Sequence, residues 1–154
     1  MADIIAEINT IGDLIAPVSD FTRFYKQTLP LKYVNNTVGI RWQGDSDERL
    51  TSEISAINRI YQVVYFGNSE VNCLQNADKI RAVLTNTNKA KLRDSDGYMT
   101  FESFNYSTPF KTETDGVYAI VGVLLATIYV QRPQVVYPKM ATIDATINEN
   151  GGGN

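Results

Sequence analysis

The chain has 154 residues, of which 44% are apolar and 20% charged, with a formal net charge of −3. That length suits one domain with a single core, and the acidic balance argues against wrapping nucleic acid, because grip on phosphates scales with Lys and Arg. A lone cysteine, Cys73, excludes an internal disulfide and a Cys-cluster metal site, and the lack of histidine removes the Ser-His and Cys-His nucleophile pairs and the commonest zinc ligand.

The N-terminus MADIIAEI carries acidic residues where a secretory signal would carry Lys or Arg, which argues against export by that route. Residues 3–28 are expected to be helical in two pieces. Ile4, Ile5, Ile8, Ile11 and Ile15 recur at helical spacing in the first, which Gly12 and Pro17 weaken at its end. Ser19 or Asp20 can cap a second, turn-rich piece holding Phe21, Phe24 and Tyr25. Asn35-Asn36 signals a turn, Thr37 to Gln43 a short strand, and Gly44 to Arg49 (GDSDER) a hydrophilic turn. Leu50 to Phe66 contains the next strand or a bent hairpin pair, best defined from Ile57 to Phe66, with a bulge expected at Ser55-Ala56 or Asn58-Arg59.

Ser69 is a good helix N-cap with Glu70 in the first turn, and the helix runs to about Thr85. Cys73, Ala77, Ile80 and Leu84 share one of its faces, which makes Cys73 a small buried apolar residue. Asn86 to Gly97 is a polar connector. Tyr98 to Tyr106 is a strand, with Met99, Phe101 and Ser103 set against Tyr98, Glu102 and Phe104. Ser107 to Gly116 is a hairpin connection closed by Asp115-Gly116.

The strand that follows, Val117 to Arg132, carries no charge until its last residue. It does not alternate apolar with polar. Val117, Ala119, Val121, Val123 and Leu125 point one way, and Tyr118, Ile120, Leu124, Ile128 and Val130 the other, so both faces need cover. Its length and β-branched content make it a strand and not a membrane span. Val121, Val123, Leu125 and Tyr129 are candidates for either core or subunit interface, with the choice open. Pro133 ends the sheet. Beyond it, Ala141, Ile143, Ala145 and Ile147 alternate with polar residues. That pattern suits an arm pairing with another subunit's sheet edge, while Gly151 to Gly153 suits a flexible tail.

No phosphate-binding loop, dinucleotide fingerprint, zinc or EF-hand spacing occurs. Asp45, Asp47 and Glu48 lack the Gly and terminal Glu of a calcium loop, and Asp94-Ser95-Asp96 reads as a strand-entry turn. Lys79, Arg81, Lys89, Lys91 and Arg93 read as a solvated basic region without interleaved aromatics. The expected fold class is α+β: a mainly antiparallel β-sheet packed against the N-terminal helical region and one central helix. It occupies one domain over residues 1–133, and residues 134–154 form a C-terminal extension or arm.

Three segments carry a family resemblance: TVGIRWQGDSDERLTSEI, then NRIYQVVYFGNSEVNCLQNADKIRAVL, then GYMTFESFNYSTPFKTETDGVYAIVGVLLATIYVQRP. In order and texture they resemble the tail terminator, or tail-completion, family of long-tailed bacteriophages, over most of residues 37 to 133. The resemblance implies a structural virion protein without enzymatic activity or cofactor. Such proteins form a ring, usually of six copies, on the head-proximal end of the tail tube. There they stop tube polymerisation and present a surface to head-completion or connector proteins, while DNA passes through the channel unbound. Within that picture Asp45, Asp47, Glu48, Glu113 and Asp115 are candidate channel or partner residues on loops, and Ile143 and Ile147 belong to the candidate arm. The alternatives are a head-closure or minor capsid protein at the neck, and a small-ligand module or carboxylate-based enzyme, which would show a deep pocket with clustered acids.

Overall fold

The structure is a computed structural model describing residues 3–19, 21–49, 54–93 and 97–131, without the side chains of 45–49, 54–55 and 130–131. In chain order the elements are α1 (Ile4–Ile15), β1 (Arg23–Lys26), β2 (Thr37–Arg49), β3 (Ile54–Gly67), α2 (Glu70–Asn86), β4 (Ala90–Lys91), β5 (Tyr98–Tyr106), β6 (Phe110–Lys111) and β7 (Tyr118–Gln131). The fold is α+β, as the sequence led us to expect. Seven strands form one sheet in the order β1-β2-β3-β7-β5-β4, with β6 pairing β7 off that path. Among the described residues, only the β1–β2 pair is parallel.

Both helices lie on one face of the sheet. Asp3 caps α1 by accepting from the Ile5 amide at 3.0 Å, and Ser69 caps α2 by accepting from the Asn72 amide at 3.0 Å. Each satisfies a first-turn donor that the helix leaves unpaired. Ile8, Ile11 and Ile15 from α1 and Cys73, Ala77, Ile80 and Leu84 from α2 meet Val38, Ile40, Tyr61, Tyr65, Ile120, Leu124 and Ile128 from the sheet. Each large side chain so buried contributes about 2 kcal/mol. Burial pushes the Cys73 thiol above its ordinary value, which suits the inert, packed role expected of it.

Several expectations are corrected. The segment around Phe24 and Tyr25 is a strand, β1, and not a second helical piece. Pairing with β2 decides this, by placing Phe24 beside Val38 at the core and Tyr25 beside Gly39 on the opposite face. The polar run Gly44 to Arg49 is not a turn. It continues β2 in register with Ile60 to Ser55 of β3, because a partner strand supplies the ladder that its composition does not advertise.

The bulges fall between Trp42 and Gly44 and between Phe101 and Ser103, not at Ser55-Ala56 or Asn58-Arg59. The second one switches the faces of β5, so that Met99 and Phe101 point to the core before Glu102, and Phe104 and Tyr106 after it. The connector after α2 also holds more structure than its polarity suggests, with Ala90 in β4 and Leu92 buried.

Past the end of β1, the Gln27 side chain takes over the edge of β2. Its amide nitrogen donates to the Trp42 carbonyl at 3.2 Å and its oxygen accepts from the Trp42 amide at 2.9 Å. Gln27 sits at φ 66°, which turns the chain away from β2 while leaving the side chain against it.

Candidate functional site: the open face of the sheet

Register assigns the described side chains of β7 to layers. The even positions Ile120, Leu124, Ala126 and Ile128 belong to the helix-covered core. The odd positions lie on the opposite, open face, in rows with the even positions of β3: Ala119 with Phe66, Val121 with Val64, Val123 with Gln62, Leu125 with Ile60, Thr127 with Asn58 and Tyr129 with Ala56. All four residues singled out as core or interface, Val121, Val123, Leu125 and Tyr129, are therefore on the open face.

That face is covered at one end and bare in the middle. The connection from β1 to β2 folds across the first rows, where Leu29 and Tyr33 pack on Val64, Phe66, Val117 and Ala119 in a second small core. Tyr33 stacks on Phe66 with ring centroids 4.7 Å apart. Gly39 makes room for this, since a Cβ there would stand 2.2 Å from a Leu29 methyl. Between that connection and β6 runs an open groove of about 360 Å³. Val64, Phe66, Ala119 and Val121 line it, Phe110 stands exposed beside it, and Arg41, Lys111 and Glu113 supply its charged groups.

The next rows carry exposed aliphatic side chains. Ile60 and Leu125 face each other across the β3–β7 ladder at 39% and 37% exposure, and Val123 is 39% exposed one row away. In the Val123 row, Arg41 of β2 stands opposite Gln62 and its Nε donates to the Gln62 Oε1 at 2.9 Å. Among the described residues Arg41 makes no ion pair, and the Gln62 amide oxygen is what answers its charge there. Further along, the Thr127 hydroxyl donates to Asn58 Oδ1 at 3.0 Å and also lies against the Glu102 carboxylate. Tyr98 stacks on Tyr129 at 5.1 Å, with the Lys89 ammonium 4.3 Å from the Tyr98 ring.

A second exposed aliphatic pair lies on the other side of the molecule. Val71 and Leu74, at 62% and 41% exposure, stand on the outer face of α2, one helical turn apart, beside the exposed Glu70. The sequence reading did not single out Arg41, Gln62, Phe110, Val71 or Leu74. Their significance depends on which way each element faces, and the one available signal was Val71 and Leu74 falling off the apolar stripe of α2.

The acidic candidates do not come together. Asp45, Asp47 and Glu48 lie in β2, opposite Arg59, Ile57 and Ala56, and not on a loop. Glu113 and Asp115 are exposed in the connection between β6 and β7, as expected, and Glu113 reaches the groove. The basic residues also disperse: Arg93 pairs with Asp13 across 3.1 Å, and Lys89 covers Tyr98. No group of three or more His, Cys, Asp and Glu able to hold a metal occurs among the described residues. No described helix is long and apolar enough to cross a membrane. Ile143 and Ile147, and with them the candidate arm, lie outside the described residues.

No family model matches the chain, and no curated protein matches it. Among solved structures the chain is similar to one from the virion of a native gene transfer agent particle. The identity is 10%, the TM-score 0.43, and the match covers 78% of this chain and 84% of that one. A likeness at this level carries no functional argument.

Proposed function

We propose that the chain is a structural virion protein that assembles as a ring, in six copies, on the head-proximal end of a phage tail tube. There it ends tube polymerisation, offers the surface for head–tail joining to a head-completion protein, and lets DNA pass through its channel. The observation that carries the ring is the placement of exposed aliphatic side chains on opposite layers: Ile60, Val123 and Leu125 on the open sheet face, Val71 and Leu74 outside α2. One copy cannot bring its own two patches together, and a two-fold dimer would use only one of them. A head-to-tail contact uses both, and it forms a closed ring when the rotation from copy to copy divides a full turn. The tail-tube position rests on the sequence resemblance to tail terminators.

The site also favours assembly over small-molecule chemistry. The groove is open, and among the described residues Glu113 is the one carboxylate that lines it. The carboxylate-based enzyme of the alternative reading would set clustered acids around a deep pocket, as in the paired carboxylates of glycoside hydrolysis.

Mixing the purified chain with tube protein from the same particle tests the proposal. Electron microscopy should show rings at one end of each tube, and tube growth should stop. Tubes that elongate unchanged while the chain stays monomeric would overturn it.

A further inference from the structure

We propose that the open face of the sheet receives the outer face of α2 from a second copy of this chain, with Glu70 of that copy paired to Arg41. This rests on the ring reading and names the two surfaces that make its contact.

Three observations carry it. β7 is apolar on both faces, the pattern of a strand covered by helices on both sides, yet α1 and α2 cover only one. A helix from a neighbour completes the second layer. The two surfaces are also complementary in charge: among the described residues Arg41 is held only by the Gln62 amide oxygen, and Glu70 makes no ion pair. Finally, the spacings agree. Glu70 lies one turn, about 6 Å, from Leu74 on the helix. Arg41 stands two strands, about 10 Å, from Val123 on the sheet. The lengths of the Arg and Glu side chains close that difference while Leu74 and Val71 settle on Val123, Leu125 and Ile60.

The contact can be trapped chemically, because Cys73, the native thiol, is fully buried. Leu74→Cys and Val123→Cys replace exposed side chains and leave the core intact. Treated with a short bis-maleimide, a mixture of the two single variants should yield covalent dimers. The double variant should yield a ladder that stops at the copy number of the ring. Adding Glu70→Arg should abolish the ladder, and adding Arg41→Glu as well should restore it.

Dimers formed by Val123→Cys alone would mean that two open faces meet each other, and would overturn the proposal. So would the absence of any product between copies. If rings are nevertheless visible by electron microscopy in that case, the ring reading stands and only this contact fails. If neither rings nor ladder form in the presence of tube protein, both fail.

Discussion

Leu124 and Leu125 are adjacent in β7 and belong to different layers of the protein: Leu124 is sealed under α2 and Leu125 stands on the open face opposite Ile60. One peptide bond separates a core position from a surface one, because side chains alternate along a strand. The pair therefore separates folding from assembly within a single dipeptide.

Leu124→Ala should cost about 3 kcal/mol, from lost burial and the cavity left beneath α2. Leu125→Glu should change stability by no more than about 1 kcal/mol and yield a soluble monomer that fails to form rings. Urea unfolding gives the first quantity, and sedimentation or native mass measurement the second. An unfolded Leu125→Glu protein would place that residue in the core.

Glu7 and Arg59 make the second test. Glu7 of α1 is fully buried; Arg59 Nε donates to Glu7 Oε1 at 2.8 Å, and the Tyr61 hydroxyl donates to the same oxygen. Burial pushes the Glu7 carboxyl above its ordinary value of 4.5, and the bonds from Tyr61 and Arg59 pull it part of the way back. A carboxyl that holds its proton more tightly when folded contributes stability that is full below 4.5 and lost as pH climbs through the raised value. Glu7→Gln should flatten that decline in urea midpoints measured from below 4.5 to neutral pH. Glu7→Ala should cost about 3 kcal/mol, because it strips an anion from a buried guanidinium.

How much of this was legible in the sequence varied with the kind of signal. Local chemistry was clear: Ser69 caps α2, Cys73 sits on its buried face, and Tyr98 to Tyr106 is a strand. The division of β7 into two apolar faces was also visible, because it needs only a period of two. Which face meets the helices was not, since that depends on where α1 and α2 lie. β1 was misread because Phe21, Phe24 and Tyr25 fall at helical spacing, and only pairing with β2 overrides that. The polar half of β2 was hidden for the same reason, its partner being the only sign of a ladder. Arg41 became notable only when register set it beside Gln62 and Val123.

Gly122 interrupts the core face of β7 between Ile120 and Leu124, and the Phe104 ring fills the gap. A Cβ on Gly122 would lie 2.3 Å from the tip of that ring. Phe104 is itself buried and tilted against Tyr106 with centroids 6.0 Å apart, so the whole ring must shift from this packing to admit a Cβ. Gly122→Ala should destabilise the chain by about 2 kcal/mol through overpacking, despite improving local strand propensity. Phe104→Leu in the same chain should return part of the loss. A thermal melt of the single and double variants checks the coupling, and additive effects would show that the ring does not cover this glycine.

Gln27 gives the last prediction. Its side-chain amide occupies the place of a strand residue beside Trp42, satisfying both the amide and the carbonyl of that residue. β1 ends at Lys26, so without Gln27 the edge of β2 opens to water one residue earlier. Gln27→Ala should remove two hydrogen bonds of about 1 kcal/mol each, tempered by their partial exposure. Hydrogen exchange at the Trp42 amide should accelerate several-fold, while exchange at Ile40 in the paired part of β2 stays slow. Unpaired edges also invite other strands, so the variant should aggregate more readily in concentrated solution. Unchanged exchange at Trp42 would mean that another group guards this edge.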